Sequence, residues 1–91
     1  MYNFPATKWV GTASIGEQVT KIGEEYLEVV EIATNDAYSI EDLAEETADI
    51  IQACETLLRI IEEGWGVEYQ DVASKIIVKN MERDYYGEQQ S

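Results

Sequence analysis

The sequence predicts an all-α protein built as a bundle of three main helices. Apolar residues recur at helical spacing in three successive segments, and no segment shows the apolar–polar alternation of a strand. The 91 residues make one small domain, which alone would bury only about 60–65% of its unfolded surface. Because the second half of the middle segment is apolar around most of its circumference, we expect dimerisation to complete a four-helix-type core.

Local start and stop signals place the helix boundaries. Ser14 and Glu17 have the form of a capping box, which marks the start of the first helix. Ser39 is a favourable N-cap for the second helix, and Gly64 is expected to end it. Before the first helix, residues 1–13 lack periodicity and are predicted to form an irregular arm. The expected helices span about residues 17–33, 40–63 and 67–85, within a domain of residues 14–86 that is followed by a frayed tail, residues 87–91.

Charge and composition exclude several classes of protein. A net charge of −13 repels phosphate backbones and anionic lipids, so neither a nucleic-acid polymer nor a membrane is an expected partner. With no histidine and a single cysteine, Cys54, the chain lacks the usual ligands of a zinc site. No apolar run reaches transmembrane length and the N-terminus has no signal-peptide core, which predicts a cytoplasmic protein.

Two pairs of carboxylates are expected to carry the chemistry. Glu25 and Glu28 lie beside the apolar stripe of the first helix. Glu46 and Asp49 lie at the same angular offset beside the stripe of the second helix. If the two helices pack antiparallel, all four acids can point to one place. The two stripes consist of Ile22, Tyr26, Val29 and Ala33, and of Leu43, Ile50, Cys54 and Ile61.

Four acids gathered at a partly buried seam require a counter-charge. Charges about 4 Å apart in such a setting repel by roughly 4 kcal/mol per pair, so the acids must be protonated or neutralised. A hard divalent cation with oxygen ligands suits this role, which indicates Mg2+ or Mn2+. Because Mg2+ usually keeps water molecules and binds substrate phosphates, the predicted site is a catalytic one.

The same residues belong to an ordered motif. The chain contains Gln18-x-x-Lys21-x-x-Glu24-Glu25-x-x-Glu28, then Glu46-x-x-Asp49, then Lys79-Asn80-x-x-Arg83. The first two patterns resemble the EExxE…ExxD signature of MazG-like all-α nucleoside triphosphate pyrophosphohydrolases, and the third resembles the third-helix element of that family. The resemblance covers about residues 18–83. It implies Mg2+-dependent cleavage of ribo- or deoxynucleoside triphosphates to a monophosphate and pyrophosphate, by a homodimer or a tetramer.

The resemblance also assigns roles to the acids. The metal ligands would be Glu25, Glu28, Glu46 and Asp49, with Mn2+ as a possible substitute for Mg2+. Glu24 would position the attacking water or take its proton. The expected catalytic residues are therefore Glu24 and Glu25.

Basic and aromatic residues are expected to bind the substrate. Lys75, Lys79 and Arg83 fall on one face of the third helix, which suits a triphosphate but also suits the dipole at a helix C-terminus. Trp9 and Trp65 are both able to stack on a base, and Trp9 is the preferred one. The residues assigned to the substrate are Lys21, Lys79, Asn80, Arg83 and Trp9.

Two other functions fit the same composition. A catalytically silent acidic helical dimer could act as a protein-interaction module, for instance as a mimic of nucleic-acid charge. A divalent-cation buffer could bind metal without needing the basic face of the third helix. A mimic needs acids spread over its surface, whereas the enzyme needs acids and basic residues that converge at one seam.

Overall fold

The prediction of an all-α fold is confirmed by a computed structural model, which describes residues 2–87. A 3-10 helix, Lys8–Gly11, precedes three α-helices, and no strand occurs within residues 2–87. Most of the predicted tail, residues 88–91, lies outside the described part of the chain. No helix in the described part is long and apolar enough to cross a membrane. The α-helices are α1 (Ile15–Ala33), α2 (Ile40–Trp65) and α3 (Tyr69–Glu82).

The starts of α1 and α2 follow from their capping residues. The Ser14 hydroxyl accepts a hydrogen bond from the Glu17 N–H at 3.0 Å, and the Glu17 carboxylate accepts one from the Ser14 N–H at 2.8 Å. This is the reciprocal capping box that the sequence predicts. At the start of α2 the Ser39 hydroxyl accepts from the Asp42 N–H at 3.3 Å. Both caps satisfy N–H groups that have no partner inside the helix.

The predicted end of the second helix at Gly64 is wrong. Gly64 lies inside α2, which continues to Trp65 and is capped by Gly66 in the left-handed conformation, with φ +71°. The Gly66 N–H donates to the Glu62 carbonyl at 2.9 Å, which closes the last turn. The left-handed cap conformation, which favours glycine, falls at the second of the two glycines.

The third helix is shorter than predicted at both ends. It begins at Tyr69, whose N–H donates to the Glu62 carboxylate at 2.9 Å. It ends at Glu82, and Asp84 then adopts a positive φ of 55°. Aspartate is one of the few residues other than glycine that visit this left-handed region readily. The helix therefore stops before Tyr85, where the predicted helix ended.

The helices α1 and α2 pair as an antiparallel hairpin, and their shielded residues are spaced alternately three and four apart. The Gln18 side chain donates to the Ala53 carbonyl at 3.0 Å near one end of this seam. Tyr26, placed in the apolar stripe by the sequence, is instead 57% exposed. The shielded positions that follow this spacing are Gln18, Ile22, Glu25, Val29 and Ile32 on α1, and Leu43, Glu46, Ile50, Ala53, Leu57 and Ile60 on α2.

One chain builds only a small core. Among the described residues the buried apolar side chains are Ala53 and Ile60, each 7% exposed. The radius of gyration is 15.7 Å and the extents are 41 × 39 × 20 Å, whereas a compact chain of this length has a radius near 12 Å. The helix α3 contacts α2 but leaves apolar residues in solvent, namely Ile76, Ile77, Val78 and Met81.

The two glycines at the end of α2 give a matched stability test. An added Cβ meets no atom within 4 Å at either Gly64 or Gly66, so only backbone conformation separates the two sites. We expect Gly66→Ala to lower the free energy of unfolding by about 1 kcal/mol, because alanine disfavours positive φ. We expect Gly64→Ala to raise it by about 0.5–1 kcal/mol. Urea denaturation measures both, and equal effects would contradict the position of the cap.

Candidate functional site

Three of the four predicted metal ligands converge between α1 and α2. Carboxylate oxygens of Glu25, Glu28 and Glu46 all lie within 4.8 Å of one another, and these residues are called the acidic cluster below. Glu25 and Glu46 occupy shielded positions of the helix seam, and Glu28 is exposed one turn further along α1. The antiparallel register therefore places an acid of α1 opposite an acid of α2.

Two oxygens of the acidic cluster lack a partner. Glu25 Oε2 and Glu46 Oε2 are shielded from solvent and accept no hydrogen bond from any described residue. The Glu25 side chain is only 12% exposed. A shielded carboxylate without a partner destabilises the fold, because it has lost its hydrogen bonds to water and makes none to the protein. The arrangement can hold a divalent cation, whose charge and preference for oxygen ligands match the unpartnered oxygens.

A proton can occupy the cluster when a cation does not. When Glu28 carries a proton, hydrogen bonding to Glu25 and the negative charge of Glu25, followed by the same two effects from Glu46, raise the pKa of Glu28 to about 7. Like charges held close together resist simultaneous ionisation, which is the physical cause of this shift. Near neutral pH the cluster therefore exchanges one proton readily.

Lys21 is the basic residue closest to the cluster in the described structure. Its Nζ lies 3.0 Å from Glu25 Oε1, one turn away on α1, and this is the only ion pair within residues 2–87. The hydrogen bond and charge of Glu25 raise the pKa of Lys21. Lys21 thus neutralises one oxygen of Glu25 while the other remains without a partner.

The fourth predicted ligand, Asp49, lies apart from the other three. Asp49 is exposed and is not among the acids whose oxygens lie within 4.8 Å of one another. It is three residues beyond Glu46, so it points further toward solvent, and its side chain is one methylene shorter. Asp49 instead lines a cleft of about 210 Å³ together with Lys21 and Glu25.

Trp9 of the N-terminal arm and acidic residues of the helices line two adjoining clefts. Trp9 lines both the cleft of about 210 Å³ and a larger one of about 480 Å³. Gln18 and Lys21 are the other residues that the two clefts share, and Glu24 lies in the larger one. Trp9 is 47% exposed, so its ring is open to a ligand. By contrast, Trp65 is exposed at the end of α2 and lines neither cleft.

The predicted substrate-binding residues of α3 stay away from these clefts in a single chain. None of Lys79, Asn80 and Arg83 lines either cleft. The Arg83 guanidinium lies 5.6 Å from the centre of the Tyr85 ring, and the Asn80 carbonyl accepts from the Tyr85 N–H at 2.8 Å. Within one chain, the third-helix part of the motif is therefore not joined to the acidic cluster.

Sequence reasoning missed the residues that fasten the N-terminal arm to α2. The buried Glu55 carboxylate accepts hydrogen bonds from the backbone of Asn3 and Phe4, and Arg59 donates to the Phe4 carbonyl. Burial, with smaller contributions from Glu62, raises the pKa of Tyr2 in the same region to about 12. The available signal was a pair of opposite charges four residues apart, Glu55 and Arg59, among the mostly apolar residues 53–61 of α2.

The raised pKa of Glu28 predicts how stability depends on pH. The folded protein holds this proton up to about pH 7, whereas the unfolded chain releases it near the ordinary value of 4.5. Stability of the metal-free protein should therefore fall as pH rises from about 4.5 through about 7. Glu28→Gln should flatten this part of the profile in thermal melts with chelator. Glu31→Gln, one turn away, should keep it, and equal profiles for both variants would contradict the coupling.

Comparison with known proteins gives no match: no protein-family profile, curated protein or solved structure matches the chain. The resemblance to the MazG-like family therefore depends on the motif residues of α1, α2 and α3. The structural observation that bears on function is independent of that resemblance. It is the convergence of three acids, two of them with an unpartnered oxygen, beside a cleft that contains a lysine and a tryptophan.

Proposed function

We propose that this protein is a Mg2+-dependent nucleotide pyrophosphohydrolase that cleaves ribo- or deoxynucleoside triphosphates to a monophosphate and pyrophosphate. One observation carries the proposal: Glu25 and Glu46 of the acidic cluster each have a shielded oxygen without a partner among the described residues, and Glu25 also lines a cleft. Such a site binds a cation, and a cleft that also contains Lys21 and Trp9 offers groups for a phosphate and a base.

The donor set supports Mg2+, with Mn2+ as a substitute. Glu25, Glu28 and Glu46 would hold the ion through carboxylate oxygens, and Asp49 would complete the site from the cleft side. All four donors are hard oxygen ligands, which these two ions prefer. When bound, the ion supplies polarisation of phosphate oxygens and a lower pKa for bound water.

The remaining residues of the clefts would handle the phosphates, the proton and the base. Lys21 would exchange its bond to Glu25 for a phosphate oxygen, because a cation in the cluster takes over the neutralisation of Glu25. Glu24, in the larger cleft beside Lys21, would orient the attacking water or take its proton. Trp9 would stack on the base. Attack at the α-phosphorus follows the MazG-like resemblance.

A second copy of the chain would complete both the core and the site. The α3 face with Ile76 and Ile77 is too apolar to remain in solvent. Lys79 on the same helix and Arg83 directly after it lie away from the clefts of their own chain. Packing α3 against another copy would bury the apolar residues and could carry the basic ones toward an acidic cluster. The proposed assembly is a homodimer, or a tetramer built from dimers.

The association can be tested with a variant of the exposed face of α3. Sedimentation of the wild type should give a dimer or tetramer at micromolar concentration. Ile77→Asp should shift the equilibrium toward monomer and reduce turnover, because a buried charge opposes the interface. Glu82→Gln, a polar change on the same helix, is the control. A wild-type monomer with full pyrophosphatase activity would contradict the proposed assembly.

The activity can be tested by measuring pyrophosphate release from a panel of ribo- and deoxynucleoside triphosphates. We expect release with Mg2+ or Mn2+ and none with chelator. Glu25→Gln and Glu46→Gln should each reduce turnover by about 100-fold or more, because each removes a ligand charge. Glu45→Gln removes one charge beside Glu46 on the exposed side of α2 and should retain activity.

The same assay separates the enzyme from its rival. If the folded protein releases no pyrophosphate from any triphosphate with metal present, the proposed function is wrong. The acidic helical dimer acting as a protein-interaction module then becomes the better account. Full activity of Glu25→Gln and Glu46→Gln would show instead that the reaction does not use the acidic cluster.

A further inference from the structure

We propose that Glu55 and Arg59 are positioning residues that fasten the N-terminal arm to α2 and thereby hold Trp9 at the wall of the cleft. Affinity for the base portion of a nucleotide would then depend on residues that never touch the nucleotide. The base affinity rests on the proposed function, whereas the fastening of the arm does not. Glu55, Thr56, Arg59 and the arm residues that they bind are called the arm anchor below.

The Glu55 carboxylate is the centre of the arm anchor. Its Oε2 accepts from the Asn3 backbone N–H at 2.8 Å and from the Asn3 side-chain amide at 3.0 Å. Its Oε1 accepts from the Phe4 N–H at 2.9 Å. Glu55 is only 5% exposed, although it is a charged residue. Within residues 2–87, the hydrogen bonds to this carboxylate come from the arm, which replaces water around it.

Arg59 and Thr56 extend the anchor along the same side of α2. The Arg59 guanidinium donates to the Phe4 carbonyl at 2.7 Å and stacks 4.2 Å from the centre of the Tyr2 ring. The hydroxyls of Thr56 and Thr7 form a hydrogen bond of 3.0 Å. These contacts fasten the arm from its second to its seventh residue, immediately before the 3-10 helix that contains Trp9.

The position of Trp9 depends in part on the anchor, because its own segment packs against α2 without burying any residue. The 3-10 helix Lys8–Gly11 has no buried residue. Its hydrogen bonds are local, such as those from the N–H groups of Thr12 and Ala13 to the Trp9 carbonyl. Besides the contact of this segment with α2, Trp9 is held from its two ends, by the arm anchor before it and by the cap of α1 after it.

The anchor also forms part of the cleft that contains the acids. Thr7 and Thr56 line the cleft of about 210 Å³ together with Trp9, Glu25 and Asp49. Release of the arm would remove Thr7 and Trp9 from one wall and leave the acids on α1 and α2 in place. Loss of the anchor should therefore weaken binding of the base and leave binding of the metal ion and the phosphates unchanged.

The affinities of two ligands, measured with Mg2+ present, test the two halves of the site separately. The α,β-methylene analogues of the four deoxynucleoside triphosphates carry a base, and inorganic triphosphate carries none. Glu55→Gln should weaken binding of the tightest analogue by about tenfold, the loss expected from one charge-assisted contact network. Binding of inorganic triphosphate should change by less than about twofold. Asn3→Ala, at an exposed position that cannot unfold the core, should act in the same direction.

The arm itself is followed independently of any ligand. In a Trp65→Phe background Trp9 is the only tryptophan, and Glu55→Gln should shift its emission to the red and speed tryptic cleavage after Lys8. Glu63→Gln, an equal loss of charge on an exposed part of α2, should change neither.

Three outcomes would overturn the inference or part of the account. Equal weakening of both ligands would mean that Glu55 has only a structural role. Unchanged Trp9 emission and cleavage would mean that it does not hold the arm. If the wild type binds neither ligand, the proposed function fails, and Trp9 emission still decides whether Glu55 anchors the arm.

Discussion

The repulsion between carboxylates held in one helix seam is the constraint on which the rest of the structure depends. Glu25 and Glu46 occupy positions of the α1–α2 seam where an apolar residue would stabilise a simple hairpin. Their shielded oxygens have lost water without gaining a partner among the described residues. The hairpin therefore gives up stability at its centre, which is a common property of sites built to bind a ligand.

The rest of the hairpin compensates for this cost. Toward the end of α2 the seam buries Ala53 and Ile60, and the buried Gln18 amide is satisfied by the Ala53 carbonyl. The same stretch of α2 holds the arm through Glu55 and Arg59, whose hydrogen bonds are satisfied. The two halves of α2 therefore have different roles. The first half contributes Glu46, whose charge is not paired, and the second half is the support that positions this acid and the arm.

Local sequence signals predicted the helices because caps and periodicity act over a few residues. The capping box at Ser14 and the N-cap at Ser39 fixed two helix starts. The prediction that the second helix ends at Gly64 failed because a second glycine lies two residues further on, and only that one, Gly66, adopts the left-handed conformation that ends the helix. The prediction for Tyr26 is wrong because the packing of α1 on α2 turns Glu25 into the seam and leaves Tyr26 exposed.

The convergence of three acids at the candidate site was predictable, but their depth in the seam was not. The spacing of Glu25, Glu28 and Glu46 indicated that they would meet, and the structure brings them together. Their position inside the seam depends on the rotation of each helix about its axis, which tertiary packing decides. The arm anchor joins Asn3 to Glu55, a contact between residues 52 positions apart. No local pattern reports a pairing at that separation.

The central claim is that the oxygens of the acidic cluster hold a divalent cation. X-ray diffraction from crystals grown with Mn2+, with data collected at the manganese absorption edge, tests it most directly. We expect an anomalous peak bounded by Glu25, Glu28 and Glu46, with Lys21 displaced from Glu25. The absence of a peak between α1 and α2, with Lys21 still bound to Glu25 in a crystal that contains the ion, would contradict it.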